Sequence, residues 1–179
     1  MATIAQIAAT NPELLTPEQL QLLAEKGFLL QLGNLPYNLD AWDGYPVDRA
    51  KLLTTAAQSH SNLVVLAGDT HNAWANNIKL SDANVGVEFA TSSVSSPGLE
   101  DFLGLTDQVA ILQTEAGLVQ LIEGLQYNNI SDRGYLVVEF TPDDVTANWV
   151  FIDTIKSEQY SVIDSRSKTI TVAAGANKI

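Results

Sequence analysis

The chain has 179 residues, 46% of them hydrophobic and 17% charged, the composition of a folded domain rather than a disordered segment. Nine Lys and Arg against 21 Asp and Glu give a net charge of -12, which excludes electrostatically driven binding to nucleic acid and disfavours docking on anionic lipid. The lack of cysteine excludes disulfides, thiolate metal sites and thiol catalysis, and apolar runs such as 63–67 are far shorter than the ~20 residues that span a bilayer.

The first ten residues carry no Lys or Arg and no long apolar core, so they do not form a signal-peptide pattern. Thr16-Pro17-Glu18-Gln19 supplies an N-cap, a proline at the first helical position and a capping-box Gln, which predicts a helix over 17–26 stopped by Gly27. Residues 31–46 are rich in Gly, Asn, Asp, Tyr and Pro and predict irregular chain. A second helix is expected from Pro46 to about Gln58, with Leu52, Leu53 and Ala56 on its apolar face. Asp43 either caps that helix or, with Trp42 and Tyr45, forms the wall of a cleft. Arg49 is a helix-surface residue that pairs locally or meets a phosphate.

Residues 62–67 form a short continuous apolar run, expected to be a strand buried on both faces. A strand follows at 85–90, then a Ser/Thr-rich loop from Thr91 to Gly98, then helix in pieces over 99–124. Residues 134–140 and 145–152 predict a hairpin around Thr141-Pro142-Asp143-Asp144, and two weaker strands are expected near 159–164 and 168–174. The order is α/β early and antiparallel β late.

The chemistry gathers where the first strand ends, at Gly68-Asp69-Thr70-His71. A buried strand delivers its last residues to the carboxyl edge of its sheet, where α/β proteins place their sites. Asp offers a hard oxygen donor and His an imidazole, a pair suited to a mixed two-metal centre; the plainer alternative is a helix-capping Asp beside a surface His. Asn72 follows as a group that orients a ligand or meets phosphate, and Trp74 as packing. Thr91-Ser92-Ser93 has no second histidine placed as a base, which argues against Ser–His catalysis.

Four segments occur in one order: 34–53 (NLPYNLDAWDGYPVDRAKLL), 62–78 (NLVVLAGDTHNAWANNI), 85–99 (VGVEFATSSVSSPGL) and 133–149 (RGYLVVEFTPDDVTANW). Together they resemble the C-terminal portion of the PhoD-like (alkaline phosphatase D) metallophosphatases, within the calcineurin-like metallophosphoesterases. The resemblance implies an α/β fold of two packed β-sheets flanked by helices, here in part, with antiparallel hairpins at the C-terminal end. It divides the chain into a helical lead-in, 1–33, and a C-terminal phosphatase portion, 34–179. It implies hydrolysis of phosphate esters by metal-activated water at a centre of iron and calcium, with Asp69 on the calcium and His71 on the iron. Members are often exported, which leaves localisation open.

The family's other metal ligands, an early Asp, an Asp-x-x-Tyr motif and an Asn, have no counterpart ahead of residue 34. Where members often carry an Asn-Pro-His-type stretch, this chain has Tyr127-Asn128-Asn129-Ile130. The expectation is therefore an incomplete centre, inactive unless a separate N-terminal half completes it. The alternatives are a non-catalytic binding or assembly module, or a truncated gene product.

Overall fold

The computed structural model describes Thr16, Pro17, Leu20, Gln21 and residues 40–179. The chain divides into two compact units, residues 1–49 and 50–179. In the first, Pro17, Leu20 and Gln21 are helical and the Leu20 amide donates to the Thr16 carbonyl at 2.9 Å. The rest of the predicted 17–26 helix, and the irregular stretch before residue 40, lie outside the described residues. Trp42–Gly44 is a 3-10 turn, followed by helix α1, Pro46–Gln58. Proline starts α1 because its missing N–H costs nothing in a first turn. Leu53 and Ala56 are its buried residues, whereas Leu52, expected on the same face, is exposed.

Residues 50–179 build two sheets. The first has four strands, β1 (Leu63–Ala67), β2 (Ala73–Leu80), β3 (Ala83–Ala90) and β4 (Leu125–Asn129), in the order β1-β3-β2-β4. β1 pairs parallel with β3, and β2 pairs antiparallel with both β3 and β4. Between β3 and β4 lie α2 (Leu99–Phe102) and α3 (Gln108–Leu121), the latter capped by the Asp107 carboxylate, which accepts from the Ala110 amide. The second sheet is antiparallel, β5 (Arg133–Phe140), β6 (Asp144–Ile152) and β7 (Lys168–Ala173), with β6 central. The predicted hairpin is thus present, and Thr141 closes its turn, its hydroxyl accepting from the Asp143 and Asp144 amides.

The core lies between the sheets. β6 alternates buried and half-buried residues along its whole length, the signature of a central strand with one face inward. Its inward residues Val145, Ala147, Trp149 and Phe151 meet Ala73, Ala75, Val87 and Phe89 of the first sheet. Trp149 stands edge-on to Phe89, ring centroids 5.6 Å apart, and its indole N–H donates to the Ala90 carbonyl at 2.8 Å. Tyr127 packs on the same indole at 5.3 Å, and burial pushes its hydroxyl pKa upward, so that ring stays neutral.

Three expectations need correction. β1 is not buried on both faces: it pairs with β3 alone among the described residues, and Leu66 is 54% exposed. Its apolar run specifies a strand but does not supply its neighbours. Residues 159–164 form no strand, only the isolated bridge Ile152–Val162: the Ser161 amide bonds the Asp153 carboxylate, and the Thr154 hydroxyl accepts from the Lys156 amide in a local turn. Asp43 does not head α1: it lies within the preceding 3-10 turn, with Gly44 and Tyr45 between it and Pro46. The structure also adds β2 and β4, whose Asn-rich stretches gave no apolar run to read.

Trp149→Ala is expected to destabilise the 50–179 unit by about 3–5 kcal/mol, the range for emptying a buried aromatic position. Guanidinium unfolding followed by far-UV circular dichroism measures it. A loss under about 1 kcal/mol would mean that the sheets do not close on this indole.

Candidate metal centre at the sheet edge

Because β1 runs parallel to β3, and β4 points the same way through β2, the carboxyl ends of three strands reach one edge of the first sheet. Three connections leave that edge: 68–72, 91–98 and 130–132. The first joins β1 to β2, which flank β3 on opposite sides, so five residues cross two strand spacings, about 10 Å, over the end of β3. So short a crossing leaves little freedom. Asp69 and His71 both take left-handed backbone, φ 68° and 62°, a conformation uncommon outside glycine and found at functional loops. Between them, the Thr70 amide donates to the Gly68 carbonyl at 2.8 Å.

Buried side chains pin this loop. Asn72, 4% exposed, donates to the Thr70 carbonyl at 2.6 Å and accepts from the Leu99 amide at 2.8 Å. The Trp74 indole N–H donates to the Thr70 hydroxyl at 3.1 Å, so Trp74 ties the loop as well as packing. The Ser93 amide donates to the His71 carbonyl at 3.2 Å. His71 Nδ1 lies 2.9 Å from the Pro97 carbonyl oxygen. A carbonyl can only accept, so Nδ1 carries a proton, and in the neutral imidazole Nε2 keeps its lone pair for another partner.

The residues present can be tested as metal donors on that geometry. Asp69 and His71 are both exposed; the carboxylate has no hydrogen bond or ion pair among the described residues, and the imidazole has one nitrogen committed and one open. The pair fits a cation in donor chemistry. It does not complete a shell of four or more donors, and no group of three or more possible ligands gathers among the described residues. Asn72 is fixed inside the protein, where it orients the loop. Asp43 and Arg49 belong to the other compact unit, and both are exposed.

Two ion-pair clusters behind the edge escaped the sequence reading. Arg133, at the start of β5, bonds Glu100 of α2 through Nη2, and both side chains are largely buried, 13% and 15% exposed. Arg166 grips Glu115 of α3 with both terminal nitrogens, at 2.6 and 2.8 Å, while its Nε donates to Asp132 at 2.5 Å. Burial alone would lower the pKa of Arg166, but hydrogen bonds and charge from Glu115 and Asp132 outweigh it and the net shift is upward. Glu115 also accepts from the Ile130 amide at 3.0 Å, so this cluster fixes the end of β4. The partners lie 33 to 51 residues apart in the chain, and no local pattern marks them.

A model of the PhoD-like phosphatases matches residues 3–149. The chain belongs to that family. Alkaline phosphatase D of Bacillus subtilis (strain 168) is 38% identical over 68 residues, which cover 35% of this chain and 12% of that protein. The solved structure of PhoD aligns with 79% of this chain and 26% of its own, with a TM-score of 0.61 and 21% identity, a likeness of fold. This PhoD-like chain therefore spans a small part of the length of the relatives it matches.

Two outcomes follow from the site's supports. Gly98 lies where an added Cβ would come within 2.6 Å of the Ile130 carbonyl, 2.7 Å of Asn72 Oδ1 and 2.7 Å of Glu100 Oε2. Gly98→Ala is expected to displace the segment that carries the Pro97 carbonyl, seen as shifted amide resonances over 70–72 and 97–100; unchanged resonances would refute the crowding. Arg166→Met, which leaves two buried carboxylates without their cation, is expected to cost about 3–5 kcal/mol by chemical denaturation.

Proposed function

We propose that residues 34–179 are the C-terminal portion of a metal-dependent phosphatase that hydrolyses phosphate esters, with Asp69 holding calcium and His71 holding iron. Family membership supports the reaction class. The observation that carries the assignment of residues is the short, backbone-strained crossing 68–72, which presents one open carboxylate and one imidazole with Nε2 unused at the carboxyl edge of a sheet. Oxygen for calcium and imidazole for iron follows the ordinary ligand preferences of the two ions.

When bound, the ions would supply Lewis-acid charge and lower the pKa of water near phosphorus. This chain's residues have definite tasks in that setting. Asp69 would bind through its carboxylate and His71 through Nε2, while the Pro97 carbonyl holds the imidazole proton on Nδ1. Asn72 keeps the loop from relaxing. Asp43 and Arg49, both exposed, are the substrate-contact candidates. The remaining ligands are proposed to come from a separate N-terminal half. The side of β1 that has no partner among the described residues is a place where further strands of such a half can continue the sheet.

The test is complementation. The chain alone is expected to show little turnover of an aryl phosphate ester with iron and calcium present. Added upstream polypeptide, matching the part of the relatives that this chain does not span, is expected to restore it. Asp69→Asn and His71→Ala should each lower the restored rate by at least about a hundredfold, the scale of losing one preorganised electrostatic group. A stable, metal-loaded complex with no hydrolysis, or full activity in both variants, would sink the proposal.

A further inference from the structure

His71's tautomer depends on where the Pro97 carbonyl is held, and the segment that holds it is anchored from the opposite sheet. Pro97 is followed by three residues with defined partners. The Gly98 amide reaches Glu100 Oε1 at 3.5 Å, the Leu99 amide donates to Asn72 Oδ1 at 2.8 Å, and the Glu100 amide donates to the Ile130 carbonyl at 3.4 Å. Before Pro97 the Ser96 amide donates to Ser93 Oγ at 2.7 Å; after it, two of the three contacts are long, so the 98–100 side of the segment depends on Asn72 and on how Glu100 is held. The short, charge-assisted contact is the one from Arg133 Nη2 to Glu100 Oε1. Arg133 is itself fixed: its Nη1 donates to the Ser131 carbonyl at 2.6 Å, and it opens β5 opposite Ile152. The next amide, of Gly134, donates to the Ser93 carbonyl at 3.1 Å, on the same connection that carries Pro97.

We infer that Arg133 is a positioning residue for His71. Through Glu100 it holds residues 97–100 so that the Pro97 carbonyl keeps the imidazole proton on Nδ1 and leaves Nε2 as the donor. The purpose of this arrangement rests on the metal-ligand reading of His71; the geometry does not. Without its guanidinium partner the Glu100 carboxylate turns towards water, because a buried charge cannot stay unpaired, and it takes the Gly98–Leu99 turn with it. The segment then keeps only its amide contacts to Asn72, Ile130 and Ser93, and the Pro97 carbonyl leaves the imidazole.

The chain has two histidines, His60 and His71, so imidazole nitrogens labelled with 15N give two sets of signals. His60 is exposed, belongs to neither ion-pair cluster and serves as the internal reference. Long-range proton–nitrogen spectra of the full, metal-free chain at about pH 8, above the ordinary imidazole pKa, report each tautomer. His71 is expected to show the Nδ1–H pattern in the wild type. Arg133→Gln should lose that pattern, so that His71 resembles His60, and Arg133→Lys should retain it, since an ammonium still bonds Glu100. A purely structural role would lower the melting temperature of both variants and leave the tautomer alone. A folded Arg133→Gln protein with the His71 pattern unchanged overturns the inference. If that variant does not fold, Glu100→Met, which removes the acceptor, gives the same comparison, and an unchanged His71 pattern there overturns it equally. Zinc titration of the same samples separates the two readings. If zinc moves neither imidazole while Arg133→Gln still releases the tautomer, the positioning stands and the metal reading alone falls.

Discussion

The indole of Trp149 joins everything else. It is fully buried on the central strand of one sheet, and its N–H donates to the carbonyl of Ala90, the last residue of β3 in the other. That one bond ties the core to the edge where the chemistry gathers, because the crossing 68–72 passes over the end of β3. An indole buried without a partner for its N–H would cost about 1–3 kcal/mol. Here the partner is the carbonyl of the last β3 residue, so the buried N–H is satisfied by the opposite sheet. The sheets are thereby set in register along the strands, and the tip of β3 cannot drift from β6.

From that fixed point the edge is built in layers. The crossing carries two residues in left-handed backbone, which persist only when the surroundings over-determine them. The surroundings here are Asn72, Trp74 and the Ser93 amide, each bonded to the loop's backbone or to Thr70. Behind them Arg133–Glu100 and the Arg166–Glu115–Asp132 cluster fix 97–100 and the end of β4. Polar groups do this work because the edge lies outside the apolar layer between the sheets. Buried charges there are stable only with each carboxylate matched to a guanidinium, which is how the two clusters are made.

β1 has a partner on one side among the described residues, while its sequence, five apolar residues without a charge or proline, carries none of the usual guards of an edge strand. An unguarded edge invites a further strand. The chain spans 12% of one relative's length and 26% of the other's.

The sequence by itself determined the elements whose signals are local. The α1 helix starts at its proline, the β5–β6 hairpin closes around Thr141–Asp144, and the apolar run at 63–67 is a strand, because capping, turn chemistry and hydrophobic patterning act within a few residues. It also placed Asp69 and His71 at a strand's carboxyl end, since Gly-Asp-x-His directly follows that run. Tertiary structure alone decided the rest. β2 and β4 are strands because β3, and then β2, offer them hydrogen-bond partners, although Asn76, Asn77, Asn128 and Asn129 carry little intrinsic β preference. β1 is half-exposed because burial depends on neighbours, not on the composition of the strand. Arg133 and Arg166 found their carboxylates across 33 and 51 residues of chain, and the Pro97 carbonyl reached His71 across 26. Pairings at that range are fixed by how strands align and sheets pack, which no local pattern of residues encodes.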